Sequence, residues 1–402
     1  MSTTGTRQRF RYTPPSNAVV ELSVVMPCLN EADTIANCVR AAMETMREHK
    51  ILGEVVLADN GSTDGSQEIA AAHGARVVRI AERGYGSALM GGIAAARGKY
   101  VVMGDADDSY DFREIPKFLA KLREGYDLVQ GCRLPSGGGT VLPGAMPFLH
   151  RWWGNPMFSW LARGWFRAPI RDVYCGLRGF TKAHYERLAQ RCTGMEFATE
   201  MIIKSSLLSA RVAEVPITLR PDGRKTHAPH LRTFRDGWRT LRFFMLYSPR
   251  WLFLVPGALL LVLGTLGYFV ALPGMRFGRV TFDVHTLLFA SLSIIAGYQS
   301  ILFALLTKVF AISAGLLPED PRLTKLGKFG TLERGLLLGL VAMLAGVALL
   351  GGAVQQWWAV DFGQLNYSHT MRWAIPGMAL TTLGFQTILF SFFLSVLGLH
   401  RR

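Results

Sequence analysis

Between Val20 and about Val215, short β-branched runs alternate with stretches whose apolar residues recur at three- and four-residue spacing. This is the pattern of an α/β domain with a largely parallel sheet. Leu22–Met26, Glu54–Ala58, Arg76–Ile80, Tyr100–Met103 and Asp127–Gln130 are the predicted strands. After the first of them, Ile35, Cys38, Val39, Ala42, Met43 and Met46 form one apolar stripe, so a helix there must pack on the sheet. Beyond Arg250 the alternation gives way to four long apolar segments, about Leu252–Leu272, Thr286–Ile312, Gly335–Val354 and Trp373–Gly398. Each is at least 20 residues long with at most one charge, enough to cross a bilayer as a helix.

Composition separates the same two halves. The chain has 402 residues with 44 Lys and Arg against 29 Asp and Glu, a net charge of +15, and a mean hydropathy of +0.23. Residues 251–402 hold only ten basic and five acidic side chains, which leaves 34 and 24 in the front part. The front is an ordinary charged globular chain and the back is membrane-like, which excludes a disordered, fibrous, disulfide-scaffold or purely soluble protein. The five cysteines, Cys28, Cys38, Cys132, Cys175 and Cys192, are scattered without a Cys-x-x-Cys pair and read as reduced thiols. No signal-peptide core follows the early arginines. Basic residues favour the loop between spans two and three (Arg322, Lys325, Lys328, Arg334) and the end, Arg401-Arg402. That bias predicts a multi-pass membrane protein with the front domain and C-terminus cytoplasmic; a bacterial plasma membrane is the expected location.

The joint between the halves carries its own pattern. Leu231, Phe234, Trp238, Leu241 and Met245 keep helical spacing with Arg232, Arg235, Arg239 and Arg242 on the neighbouring face. This is the pattern of a helix lying in the headgroup layer, with a solvated helix as the alternative. A second aromatic stretch, His150 to Arg167, includes Trp152, Trp153, Trp160 and Trp165, and either core packing or a membrane face accounts for it. The expected division is a flexible N-terminus over 1–20, an α/β domain over 21–228, an interfacial segment over 229–250 and a four-helix membrane domain over 251–402.

Ligands of open α/β sheets bind beyond the carboxyl ends of the strands. There the chain places Pro27-Cys-Leu-Asn30-Glu31, Asp59-Asn-Gly-Ser-Thr-Asp64-Gly and Asp105-Ala-Asp107-Asp108-Ser109-Tyr-Asp111. Each alone fits an ordinary turn; three on one sheet edge point to a site. Two carboxylates at i and i+2, Asp105 and Asp107, suit a hard divalent cation, Mg²⁺ or Mn²⁺, that neutralises a diphosphate leaving group; an Asx turn is the structural alternative. The Gly84-Tyr-Gly86-Ser-Ala-Leu89 stretch lacks the third glycine of a dinucleotide fingerprint, and Gly98-Lys99-Tyr100 fails as a P-loop.

Together, Pro27-x-x-Asn30-Glu31, Asp59-x-Gly-Ser-x-Asp64-Gly, Gly84-x-Gly-x-Ala, Asp105-Ala-Asp107 and Asp172-x-x-Cys-Gly176-x-Arg178 resemble the family-two glycosyltransferases of GT-A fold. Within that family they are most similar to dolichol-phosphate mannose synthase and its bacterial polyprenyl-phosphate relatives. The resemblance covers about Leu22 to Lys225 and implies a GT-A, Rossmann-like domain ahead of the four-helix all-α membrane domain. It implies that Pro27, Asn30, Glu31 and Asp59 line the nucleotide pocket and that Asp105 and Asp107 handle ribose, diphosphate and metal, with Asp107 the direct ligand. The Gly84–Gly92 loop, with Gly84 and Gly86, either approaches the nucleotide closely or makes a tight turn, while the resemblance implies that Arg133, Arg178, Arg220, Arg224 and Lys225 meet donor or acceptor phosphate. Ser109 departs from the pattern, since the mannose synthases have Gln among the metal ligands there. Glu200, in Glu196-Phe-Ala-Thr-Glu200, is assigned to sugar, to the arginines or to a structural ion pair.

The expected activity is inverting transfer of one sugar from a UDP- or GDP-linked donor to polyprenyl phosphate. A lipid phosphate is already an anion at neutral pH, so catalysis reduces to positioning two phosphates beside one sugar carbon and stabilising the leaving group. The competing readings are a processive polysaccharide synthase, which would carry a Gln-x-x-Arg-Trp element absent from this sequence, and a lipid-linked sugar flippase or scaffold. Expected partners are the nucleotide sugar, the lipid phosphate and the membrane, with a homo-oligomer left open. Nucleic acid is not expected, because the basic excess clusters beside a membrane span.

Overall fold

The structure is a computed structural model that describes residues 20–224, 233–314, 317, 320, 321, 323 and 331–399. It divides into two compact units, Met1–Phe244 and Met245–Arg402.

In the first unit the β-branched runs become β1 (Leu22–Cys28), β2 (Gly53–Asp59), β3 (Arg76–Arg79), β4 (Tyr100–Met103) and β5 (Leu128–Cys132). The helices between them are α1 (Ile35–Glu48), α2 (Ser66–Ala72), α3 (Tyr85–Ala95) and α4 (Ile115–Arg123). The α1 stripe lies where its spacing put it: Ile35, Cys38, Val39, Ala42 and Met46 are buried, and Met43 is half-buried at the margin. Further along come β6 (Thr140–Val141), α5 (Asn155–Phe166), β7 (Arg178–Thr181), α6 (Lys182–Leu188), α7 (Glu196–Leu207), β8 (Val212–Pro216) and β9 (Thr218–Leu219).

The seven-stranded sheet runs β3-β2-β1-β4-β7-β5-β8. β1 pairs parallel with both β2 and β4, so the chain order reverses there and the crevice outside their carboxyl ends is the topological switch point. The sheet is not wholly parallel: β7 inserts antiparallel between β4 and β5. At four residues containing Arg178 and Gly179, β7 offered no hydrophobic alternation to read, and its place is fixed by its two neighbours.

The aromatic stretch splits between the two readings open to it. Phe158 and Phe166 on α5 are buried, whereas Phe148, Trp152, Trp153 and Trp160 are 73, 58, 69 and 64% exposed. Core packing therefore does not account for Trp152, Trp153 and Trp160, whereas Trp165 is half-buried. The helix at the joint, α8 (Thr233–Tyr247), packs on the first unit through Phe244. Phe244 is fully buried among Phe158, Trp165 and Phe166, with ring centroids 5.9, 6.3 and 5.5 Å away. Trp238 points away from that cluster at 59% exposure, and Arg235, Arg239 and Arg242 are exposed.

In the second unit, four helices have the length and composition to cross a membrane, over Arg250–Ala271, Val284–Ser313, Leu332–Trp358 and Tyr367–Leu397. They comprise α9 (Val255–Ala271) with a short preceding π-helical turn, α10 (Val284–Ser313), α11 (Leu332–Trp358) and α12 (Tyr367–Leu399). Their outer faces expose leucine, valine and phenylalanine, as lipid contact requires. Glycines let the helices approach: a Cβ at Gly257 would lie 2.8 Å from the Gly297 carbonyl, and one at Gly346 2.7 Å from that of Gly377.

Candidate active site

Three loops at the carboxyl edge of the sheet are stitched to one another by their own polar side chains. Asn30, in the left-handed region at φ 61°, takes a bond from the Thr63 amide (2.9 Å) while its own amide donates to Ser62 Oγ (2.9 Å). The Glu31 amide donates to Ser66 Oγ at 2.8 Å and that of Ala32 to Asp64 at 2.9 Å. The side chains that read as turn formers thus tie the first loop to the second. Asp59 is 1% exposed and accepts from the amides of Gly61 and Ser62 and from Gln67 Nε2 at 2.8 Å. Its carboxylate is spent on holding the β2 loop. Pro27 lies half-buried at the end of β1.

The third loop carries the acidic centre. Thr34, at the start of α1, donates to the Ala106 carbonyl at 2.7 Å, which pins that loop beside the first. Asp105 accepts a 2.9 Å hydrogen bond from Tyr85 Oη. Burial, then the neighbouring Asp107, raises the Asp105 carboxyl to about 6, against the opposing pull of the Tyr85 bond and Arg224. Asp105 is partly buried, and its carboxylate lies between Tyr85 and Gly176: a Cβ at Gly176 would lie 2.6 Å from Asp105 Oδ2. Tyr85 is held protonated by burial and by Asp105, so it donates. Sequence reasoning passed over Tyr85 because it stands as the variable position between two glycines.

Asp107 divides its two oxygens. Oδ1 accepts from Ser109 N (3.1 Å) and Oγ (2.5 Å), which is the Asx-type turn; Oδ2 faces Arg224 Nη1 at 3.3 Å. The turn and the ligand reading are therefore compatible, one oxygen each. Arg224 also binds Glu31 through Nε (2.9 Å) and Nη2 (2.5 Å) and Asp222 through Nη1 (2.7 Å). Arg220 reaches Asp111 at 2.5 Å, and its amide donates to the Ser109 carbonyl at 2.9 Å. Lys225 lies outside the described residues.

Other residues expected at this site are occupied elsewhere. Arg133 forms a two-pronged pair with Asp172, Nε to Oδ2 at 2.7 Å and Nη2 to Oδ1 at 2.8 Å, with the arginine 7% and the aspartate 0% exposed. Arg178 is fully buried, donates to the carbonyls of Ala198 and Cys175 at 2.7 Å each, and has no acceptor for Nε among the described residues. Burial lowers its pKa. A guanidinium sealed in this way presents no face to an incoming phosphate; it stands behind the Tyr85 and Asp105 pair instead. Gly84 and Gly86 make their close approach to protein: a side chain at either would collide with a carbonyl of the 192–194 loop, and the Ser87 amide donates to Thr193. The α3 N-terminus is thereby capped by the chain. Glu200 takes the structural option, an ion pair with Lys204 at 2.7 Å plus bonds from the Arg191 and Cys192 amides.

Among the described residues no three acidic, His or Cys side chains converge as a closed metal cage. The donor set that does exist, Asp105 and Asp107 on one loop, fits a cation of the Mg²⁺ type, which is commonly held by one or two carboxylates plus substrate phosphates.

Residues 23–188 match the family model described as glycosyl transferase family 2, and residues 305–398 match the glycosyltransferase family 2 C-terminal transmembrane region. The low-salt glycan biosynthesis hexosyltransferase Agl6 of Haloferax volcanii is 37% identical over 95% of this chain and 90% of its own. The dolichyl-phosphate hexose transferase of the same organism is 34% identical over 50% of this chain and 83% of its own. The solved glucosyl-3-phosphoglycerate synthase of Mycobacterium tuberculosis with Mn²⁺, UDP and glucosyl-3-phosphoglycerate is 20% identical, covers 58% of this chain and 85% of that one, and gives a TM-score of 0.44. The chain belongs to glycosyltransferase family 2: it is a glycosyltransferase with a GT-A domain followed by a membrane region.

Proposed function

We propose that this family 2 glycosyltransferase moves one hexose from a nucleotide diphosphate sugar to a polyprenyl phosphate, with inversion and in a single displacement. The observation that carries the reading is the meeting, at the switch point of the sheet, of the Asp105–Asp111 loop with two arginines, Arg224 on Asp107 and Arg220 on Asp111. An acceptor phosphate calls for cations and a leaving diphosphate for a metal; this edge brings together arginines and the carboxylates that would hold one. The relative named as a dolichyl-phosphate hexose transferase supports the acceptor class. So do the exposed tryptophans 152, 153 and 160, indole rings that suit a bilayer interface better than water.

In this reading Pro27, Asn30 and Glu31 border the nucleotide, with Asp59 shaping the loop against which the base rests. Asp105, fixed by Tyr85, orients the ribose and diphosphate side of the donor. When bound, Mg²⁺ or Mn²⁺ supplies Lewis-acid neutralisation of the leaving diphosphate, and Asp107 Oδ2 with Asp105 would hold it. A lipid phosphate oxygen attacks the anomeric carbon while the bond to the nucleotide diphosphate breaks. The attacking anion needs no general base, so the burden on the protein is orientation and charge: Arg220 and Arg224 offset the repulsion between two polyanions. Arg133 and Arg178 contribute by holding the walls, not by touching phosphate.

The test is a transfer assay on detergent-purified full chain with polyprenyl phosphate against a panel of UDP- and GDP-sugars, read as a new lipid-phosphate hexose by mass spectrometry. Product with at least one donor, abolished in Asp107→Ala, is expected. Elongation of free glycan acceptors with no lipid product would overturn the proposal.

A further inference from the structure

We propose that Arg224 is the resident counter-cation of the Asp107 site in the substrate-free protein, and that the divalent ion arriving with the nucleotide displaces it and frees it for phosphate. This rests on the proposed metal-dependent transfer and adds an order to it. The geometry is specific. One guanidinium is shared by three carboxylates, those of Glu31, Asp107 and Asp222, at a point where its own side chain is 12% and that of Asp107 14% exposed. Asp107 Oδ1 is taken by Ser109, so Oδ2, the oxygen turned to Arg224, is the one left for a cation. An Mg²⁺ ion about 2.1 Å from that oxygen would stand against the guanidinium Nη1, which lies 3.3 Å from it. Two cations repel strongly in so enclosed a place, and one has to leave.

The backbone keeps Arg224 at hand. The Gly223 amide donates to the Asp107 carbonyl at 2.9 Å and the Arg220 amide to that of Ser109 at 2.9 Å, so residues 220–224 run along the loop of Asp107. A Cβ at Gly223 would lie 3.0 Å from Thr34 Cγ2, which is the closeness that lets the strap lie down. With Arg224 in place the acidic floor is partly neutralised and a lone divalent ion competes for it. A metal and nucleotide arriving together bring the compensating cation and a fresh set of anionic oxygens. Arg224 then exchanges carboxylates for phosphate, and the acceptor's cationic site is complete only after the donor is seated.

The discriminating measurement is Mn²⁺ binding to the full detergent-solubilised chain without nucleotide, followed by the electron paramagnetic resonance signal of free Mn²⁺. Arg224→Gln should bind Mn²⁺ about tenfold or more tightly than the wild type, as removal of one competing charge at a part-buried carboxylate implies. Arg224→Met, which removes the same charge with an apolar side chain, should give a comparable gain and serves should the first variant fold poorly. The gain must vanish in Arg224→Gln/Asp107→Asn. Equal or weaker binding in both single variants, or a gain that survives loss of Asp107, overturns the proposal. If no variant binds Mn²⁺ with or without UDP while transfer continues in excess EDTA, the underlying metal reading fails instead, and this inference with it.

Discussion

The Arg133–Asp172 pair offers the cleanest test of what the fold does with an arginine that reads, in sequence, as a phosphate ligand. Asp172 is wholly buried and takes three donors: the Arg133 amide at 3.0 Å, Nε at 2.7 Å and Nη2 at 2.8 Å. Asp172→Asn removes the charge and turns one of the two acceptors into an NH₂ group facing a donor. The guanidinium, its residue 7% exposed, is left without a counter-ion. Breaking a buried pair from one side costs about 3–5 kcal/mol, and a unit of this size loses roughly 2–4 °C per kcal/mol, so the front unit should melt roughly 6–20 °C lower. Removing both charges is different. In Arg133→Met/Asp172→Leu no ion is stranded; what is lost is the acceptor for one amide, about 1 kcal/mol, and the melting point should recover most of the way. Two assays decide it: thermal unfolding of the detergent-solubilised protein followed by tryptophan fluorescence, and initial transfer rates at a temperature where every variant is folded. The double variant should keep activity within a few-fold. If it is stable yet loses activity by orders of magnitude, Arg133 touches phosphate in the working state and the structural assignment is wrong.

Tyr85→Phe keeps the ring and removes only the hydroxyl that orients Asp105; a hydrogen bond to a charged group is worth about 1.5–3 kcal/mol, so the melting point should drop by a few degrees and kcat/KM, measured where the variant is folded, should fall roughly ten- to a hundred-fold, and an unaltered kcat/KM would refute the role. His184 is buried, its Nδ1 facing the donor Arg187 Nη2 (3.3 Å) and its Nε2 facing Ser205 (2.8 Å), and burial lowers its pKa. The unfolded chain therefore takes up the proton first, so this part of the stability is complete above pH 6.5 and drains as pH falls below it. His184→Gln should flatten the melting point between about pH 7.5 and 5.5; an equally steep decline in the variant would discount it. Gly346→Val would drive a side chain toward the Thr381 amide (2.5 Å) and the Gly377 carbonyl (2.7 Å), separating α11 from α12; lower thermal stability of the membrane unit is expected, and a wild-type melt would contradict the packing.

By itself the sequence determined the two-part plan, because each part rests on a period. Alternating β-branched runs and a stripe at 3.6-residue spacing place β1, α1, β2 and β4 locally, and an apolar run of bilayer length needs no partner to be legible. The acidic loops were legible too, because turn residues after a strand sit where the strand ends. Tertiary structure alone decided which charged groups face the site. Arg133 and Arg224 look alike along the chain, yet one is sealed against Asp172 and the other lies across Glu31 and Asp107, because burial of a charge depends on what long-range packing puts opposite it. The same holds for Gly84 and Gly86, whose neighbours come from residues 192–194, and for β7, whose place between β4 and β5 depends on two strands distant in sequence. It holds for the aromatic residues on either side of α5, where Phe158 meets Phe244 and Trp160 stays 64% exposed. Local pattern fixes where an element lies; only the packed chain fixes what each side chain faces, and chemistry is decided by what it faces.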